Sequence, residues 1–93
     1  MSRPRIQQFK DYGWHIYYFD TMNDARKKAI DFLERKVFSG SEIRIWRGSE
    51  WVGIVKKIKY PPYYQYEWRD IDKNGIYQYN WGYLNKDGSL RKK

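Results

Sequence analysis

The chain has 93 residues, 19 Lys plus Arg against 11 Asp plus Glu, a formal net charge of +8 and no Cys. That length makes one small domain, residues 1–93, with little core to spare. The lack of Cys excludes disulfides and thiolate metal sites, and no apolar run approaches the ~20 residues that span a membrane.

Aromatic rings are unusually dense: 5 Trp, 10 Tyr and 4 Phe, against nine Ile, three Val, three Leu and two Ala. The core is therefore completed with rings, and the surplus rings share the surface with cations. Rings beside cations suit stacking on bases with contact to phosphates. They equally suit a protein-binding face, where Tyr, Trp and Arg concentrate. The charge also favours polyanionic partners, provided it clusters on one face. The basic opening Met1-Ser2-Arg3-Pro4-Arg5 leads into no hydrophobic signal region, so a cytoplasmic location with no membrane partner is expected.

In chain order, residues 2–10 read as a loosely held basic arm. Trp14 to Phe19 is rich in β-formers and predicts a first strand. Thr21 with Asp24 resembles a capping box. Met22, Ala25, Ala29, Phe32, Leu33 and Val37 then recur at helical spacing, predicting a helix over Met22 to Phe38 that stops before Gly40. Asp24–Lys28, Lys27–Asp31 and Asp31–Arg35 place opposite charges four apart on its other side.

Glu42 to Arg47 and Glu50 to Ile58 predict a hairpin around Gly48-Ser49, with Gly in the first position of a type II′ turn. That register pairs Arg47 with Glu50, Trp46 with Trp51, Ile45 with Val52 and Ile43 with Ile54. One face is then Ile43, Ile45, Val52, Ile54 and Ile58, with Lys56 as an exception. The other carries Arg44, Trp46, Trp51, Val55, Lys57 and Lys59.

Tyr60-Pro61-Pro62-Tyr63 breaks the ladder. Two further strands, about Tyr64 to Ile71 and Ile76 to Leu84, alternate aromatic residues. An even-numbered loop at Asp72-Lys73-Asn74-Gly75, or at Asn74-Gly75 alone, puts Tyr64, Tyr66, Trp68, Tyr77, Tyr79, Trp81 and Tyr83 on one face, with Trp68 and Trp81 expected in the core. Asn85 to Lys93 is a polar turn with a basic end, held loosely from about residue 86.

The order β-α-β-β-β-β predicts an α+β fold, an antiparallel sheet of about five strands curled around or packed on one helix. It resembles the order in cystatins and monellin at the level of fold alone. The glutamine-valine-glycine loop of cystatins is absent, and the corresponding hairpin reads Trp46-Arg47-Gly48-Ser49-Glu50-Trp51. Protease inhibition is therefore not implied.

Other motifs carry less. Asp70 to Gly75 matches the opening of an EF-hand loop, but the twelfth position, where a bidentate Glu belongs, is Trp81. Pro61-Pro62-Tyr63-Tyr64 contains the P-P-x-Y pattern of WW-domain ligands, here between two predicted strands, where a rigid connector is the better reading. His15 is the only histidine and has no ligating or catalytic company. Tyr77-Gln78-Tyr79 after Gly75-Ile76 faintly resembles the GIY-YIG nuclease opening, with no second half. No catalytic residue, metal site or cofactor is read.

The expectation is a non-catalytic binding module. Its leading site is the outer hairpin face, with Trp46 and Trp51 stacking on single-stranded nucleic acid and Arg44, Lys57 and Lys59 on phosphates. The alternative is a small adaptor or inhibitor, of the kind found in phages and mobile elements. It would bind an acidic protein through Tyr77, Tyr79 and Tyr83. Either form is a monomer or a homodimer.

Overall fold

A computed structural model describes residues 3–35 and 41–91. It contains strands β1 (Arg5–Lys10) and β2 (Gly13–Tyr18), helix α1 (Met22–Arg35), and strands β3 (Glu42–Arg47), β4 (Glu50–Lys57), β5 (Tyr64–Ile71) and β6 (Tyr77–Tyr83). The strands form one antiparallel sheet in the order β2-β1-β3-β4-β5-β6, and α1 packs on one side of it. The α+β class holds, with one strand more than expected.

The extra strand is β1, which lies in the segment expected as an arm. It pairs with β2 along its full length, from Arg5↔Tyr18 to Lys10↔Gly13, and touches β3 at Arg5↔Trp46. Its turn is Asp11-Tyr12, with φ of 54° and 65°. Both central residues of a type I′ turn need positive φ, and Asp is among the non-glycine residues that tolerate it. Ile6, at 1% exposure, anchors the strand in the core.

Helix α1 begins where its cap predicts. The Asp24 N–H donates to Thr21 Oγ1 at 3.1 Å, satisfying one of the unpaired donors of the first turn. Ala25, Ala29, Ile30, Phe32 and Leu33 are buried, so the apolar stripe is the packed face. On the solvated side Asp31 meets Arg35 at 3.1 Å and Lys28 at 3.6 Å. The part of the expected helix that includes Val37 and Phe38 lies outside the described residues.

The β3–β4 hairpin follows its expected bounds but only half of its expected register. Gly48 takes φ 65° in the first turn position, and Arg47↔Glu50 and Trp46↔Trp51 pair. A bulge then shifts the ladder, giving Ile45↔Gly53, Arg44↔Ile54 and Ile43↔Val55. The extra residue sets Val52 and Gly53 toward the same side and exchanges Val55 and Ile54 between faces. Val55 therefore joins the helix-side core, and Ile54 is buried outside that cluster. Tyr66 explains the exchange. Its ring lies over Gly53 so closely that a Cβ there would stand 2.6 Å from Cε1.

The β5–β6 loop corrects a second expectation. Asp72 N–H donates to the Ile76 carbonyl at 2.9 Å, enclosing a three-residue loop, Lys73-Asn74-Gly75. Asp72 Oδ1 accepts from the N–H groups of Asn74 at 2.8 Å and Ile76 at 3.0 Å, and Gly75 takes φ 79°. This is a turn closed by a residue in the left-handed region, and its odd length reverses the pairing parity. Arg69 faces Tyr79 and Glu67 faces Trp81, while Tyr66 faces Gly82. The seven rings therefore divide. Tyr64, Tyr66 and Trp68 lie toward the helix, and Tyr77, Tyr79, Trp81 and Tyr83 lie on the opposite side.

The chain beyond β6 is held against this frame. Leu84 bridges Leu90, Arg91 N–H donates to the Tyr83 carbonyl at 2.9 Å, and Arg26 Nε donates to the Gly88 carbonyl at 2.7 Å. Lys57 points to the helix side, with Nζ 3.9 Å from Glu34 Oε2. Tyr64 Oη donates to Glu34, and burial followed by this bond pushes the Tyr64 hydroxyl well above the usual phenol range. Among the described residues no helix is long and apolar enough to cross a membrane.

Candidate nucleic-acid interface

Directly paired residues project to the same side of a sheet, and successive residues project to opposite sides. The pairings therefore define one face opposite α1. Across the sheet it carries Trp14, Ile16 and Tyr18 on β2, Arg5 and Gln7 on β1, Arg44 and Trp46 on β3, and Trp51, Ile54 and Lys56 on β4. Gln65, Glu67 and Arg69 follow on β5, then Tyr77, Tyr79, Trp81 and Tyr83 on β6. Four of the five Trp residues are on this face, and only Trp68 packs against the helix-side core. No described element covers it.

The rings are most exposed toward the two edges of the sheet. Trp14 is 62% exposed on β2, and Tyr79 and Trp81 are 68% and 52% exposed on β6. Trp46 and Trp51, the expected centre of the site, are adjacent as expected but half-buried. Arg69 stacks over Trp51, its guanidinium carbon 4.2 Å from the ring centroid, and lies 4.8 Å from that of Tyr77. Its Nε donates to the Trp51 carbonyl at 2.7 Å, so the cation and both rings hold one another in place.

The expected residues do not all converge. Arg44, Trp46 and Trp51 share the open face. Lys57 does not, because the bulge turns it toward Glu34. Lys59 follows the end of β4 and sits 5.6 Å from the Tyr60 ring centroid. Lys56, the expected exception on the helix side, takes its place on the open face and pairs with Glu67 at 3.0 Å. Tyr77, Tyr79 and Tyr83 are also on this face, but Tyr77 is engaged. Its hydroxyl donates to Glu50 at 2.8 Å, a bond that raises its pKa. Trp81, expected in the core, is on the open surface beside Tyr83, their rings edge to face at 5.5 Å.

The charge is less concentrated than the total suggests. Arg5, Arg44, Lys56 and Arg69 on the open face stand against Glu42 and Glu67, and the Glu50 carboxylate reaches the same face at the Tyr77 hydroxyl. Many other cations lie along the helix and in loops, where they contribute a long-range field instead of direct contacts.

Between β4 and β6 the open face dips into a cleft of about 260 Å³, lined by Trp51, Glu67, Trp68, Tyr79, Asn80 and Trp81. Sequence reasoning missed this cleft and Arg69 because both depend on loop parity. The signal was present in Asp72-Lys73-Asn74-Gly75, whose Asp and Gly fit a three-residue loop as well as an even one.

Other motifs resolve into structure. The Asp72 carboxylate is spent on its own turn, and the Ile76 and Asn74 N–H groups hold its pKa below the usual range. Tyr64, which a WW-type ligand would have to present, is 1% exposed. Among the described residues no group of three or more His, Cys, Asp or Glu could hold a metal ion. Comparison with known families, curated proteins and solved structures finds no match for the chain.

Proposed function

We propose that this chain is a non-catalytic binding module that takes single-stranded nucleic acid on the open sheet face. One observation carries the reading. Rings from four strands lie on the face that no described element covers, with Arg5, Arg44 and Arg69 between them. A sheet that offers rings for stacking and cations for phosphates suits unpaired bases. Duplex fits less well, because the cations of α1 alternate with Asp24, Asp31 and Glu34, and Arg26 is tied to Gly88.

Quenching of Trp fluorescence by short DNA and RNA strands tests this. Single strands are expected to quench, duplex much less, and affinity is expected to fall as salt rises, with a slope that counts phosphate contacts. Trp46→Ala and Trp81→Ala are each expected to weaken binding by about 1–3 kcal/mol while the domain stays folded. Normal binding by the folded double variant would refute the assignment.

A second reading rests on β6 being an edge strand with a row of exposed rings. An acidic protein partner could pair with the part of its backbone that precedes Tyr83, whose carbonyl already accepts from Arg91, and dock on Tyr79 and Tyr83. Tyr79→Ala with Tyr83→Ala would then abolish co-purification of that partner, and unchanged co-purification would exclude this edge.

A further inference from the structure

We infer that the cleft between Trp51 and Trp81 is a subsite for a base, and that Glu67 makes it prefer bases with an exocyclic amino group, cytosine, adenine or guanine, over thymine or uracil. The inference rests on the open face being a nucleic-acid surface and adds a chemical preference to it.

Three features of the cleft carry the argument. Trp51, Tyr79 and Trp81 supply aromatic lining, and about 260 Å³ leaves room for a planar heterocycle. One wall is set in advance, because Arg69 fixes Trp51 by stacking and through the bond to its carbonyl. The third feature is an acid where phosphate contact would call for a cation. Glu67 is the direct partner of Trp81 across the ladder and contributes to the cleft lining.

A carboxylate in a nucleic-acid site repels phosphate, so this part of the face is suited to a base. Lys56 Nζ donates to Glu67 Oε1 at 3.0 Å and uses one of its acceptor positions. An ionised carboxylate only accepts hydrogen bonds. It can receive one from the amino group of cytosine, adenine or guanine, the same acceptor role that Glu and Asp play toward cytosine in duplex recognition. Thymine and uracil place a carbonyl at the corresponding position, opposing lone pair to lone pair, and their one ring donor, N3–H, lies between two carbonyls. Arg5 and Arg44 lie on strands beyond β4, so the backbone of the same strand can reach cations outside the cleft.

The test is titration of the full chain with oligo-dC, oligo-dA and oligo-dT of equal length, followed by Trp fluorescence and anisotropy. Oligo-dC and oligo-dA are expected to bind at least about fivefold more tightly than oligo-dT. Glu67→Gln presents both a donor and an acceptor, so it is expected to bring the three within about twofold while keeping overall binding. Equal binding of all three by the native protein, with clear quenching, overturns the base preference and leaves the open-face reading standing. A preference that persists in Glu67→Gln also overturns it, by assigning selection to another group. No binding by any oligomer removes the open-face reading and this inference with it. The native-protein comparison decides the matter even if the variant folds poorly.

Discussion

The two faces of this sheet use the same residue types for opposite ends. Toward the helix, Tyr64 and Tyr66 are 1% and 3% exposed and join a core built otherwise of Phe32 and aliphatic side chains, Ile above all. On the other side Tyr79 stands mostly in solvent, along with Trp14 and Trp81. A Tyr ring buries a large apolar area and keeps a polar tip, so it serves either environment. Composition does not distinguish the two fates. Parity does, and parity is decided at turns and bulges only a few residues long.

If the faces differ as described, core and open-face substitutions differ in cost. Ile45 is completely buried, and Ile45→Ala is expected to lower stability by about 2–5 kcal/mol in urea unfolding. Trp81→Ala removes a larger side chain but, at 52% exposure, is expected to cost only about 0.5–1 kcal/mol. Equal losses would break the contrast between the faces.

Gly53→Ala probes the boundary between them. A Cβ there would overlap the Tyr66 ring, which is buried and cannot swing aside, so a loss of about 1–3 kcal/mol is expected. Were the loss absent, the bulge register would be wrong. Thr21→Ala removes the helix cap and is expected to cost about 1 kcal/mol, again by urea unfolding.

The smallest effect concerns the loop that sets the parity of β6. The Ile76 N–H, with Asn74 and Gln78, holds the folded-state pKa of Asp72 below its unfolded value. Its stabilisation is therefore complete above the ordinary carboxylate pKa of about 4 and is lost as pH falls through the lower folded value. The urea midpoint is expected to drop between about pH 6 and about pH 3, and to drop less in Asp72→Asn. An identical drop in the variant would remove Asp72 from the account.

The helix was legible because its stripe and its Thr21 cap agree. The bounds of the β3–β4 hairpin were legible because Gly48 marks the turn and the Trp46–Trp51 pair follows from it. The rest depended on contacts distant in sequence. In β1, Ile6 is the core anchor within the polar run Arg5-Ile6-Gln7-Gln8, and its turn at Asp11-Tyr12 lacks glycine despite two positive φ values. The bulge at Val52-Gly53 answers to Tyr66, a dozen residues on. Of the site, Arg44, Trp46 and Trp51 were visible as alternating residues of one hairpin. Arg69, Glu67 and Trp81 were not, because their face depends on whether the loop after Asp72 is odd or even.

The most direct test follows the five Trp indole N–H resonances by NMR while a short single strand is added. The signals of Trp46, Trp51 and Trp81 are expected to shift most, with helix amides little changed. Larger shifts along the helix than on the open face, or none at saturating strand, would contradict the assignment of the open sheet face as the binding surface.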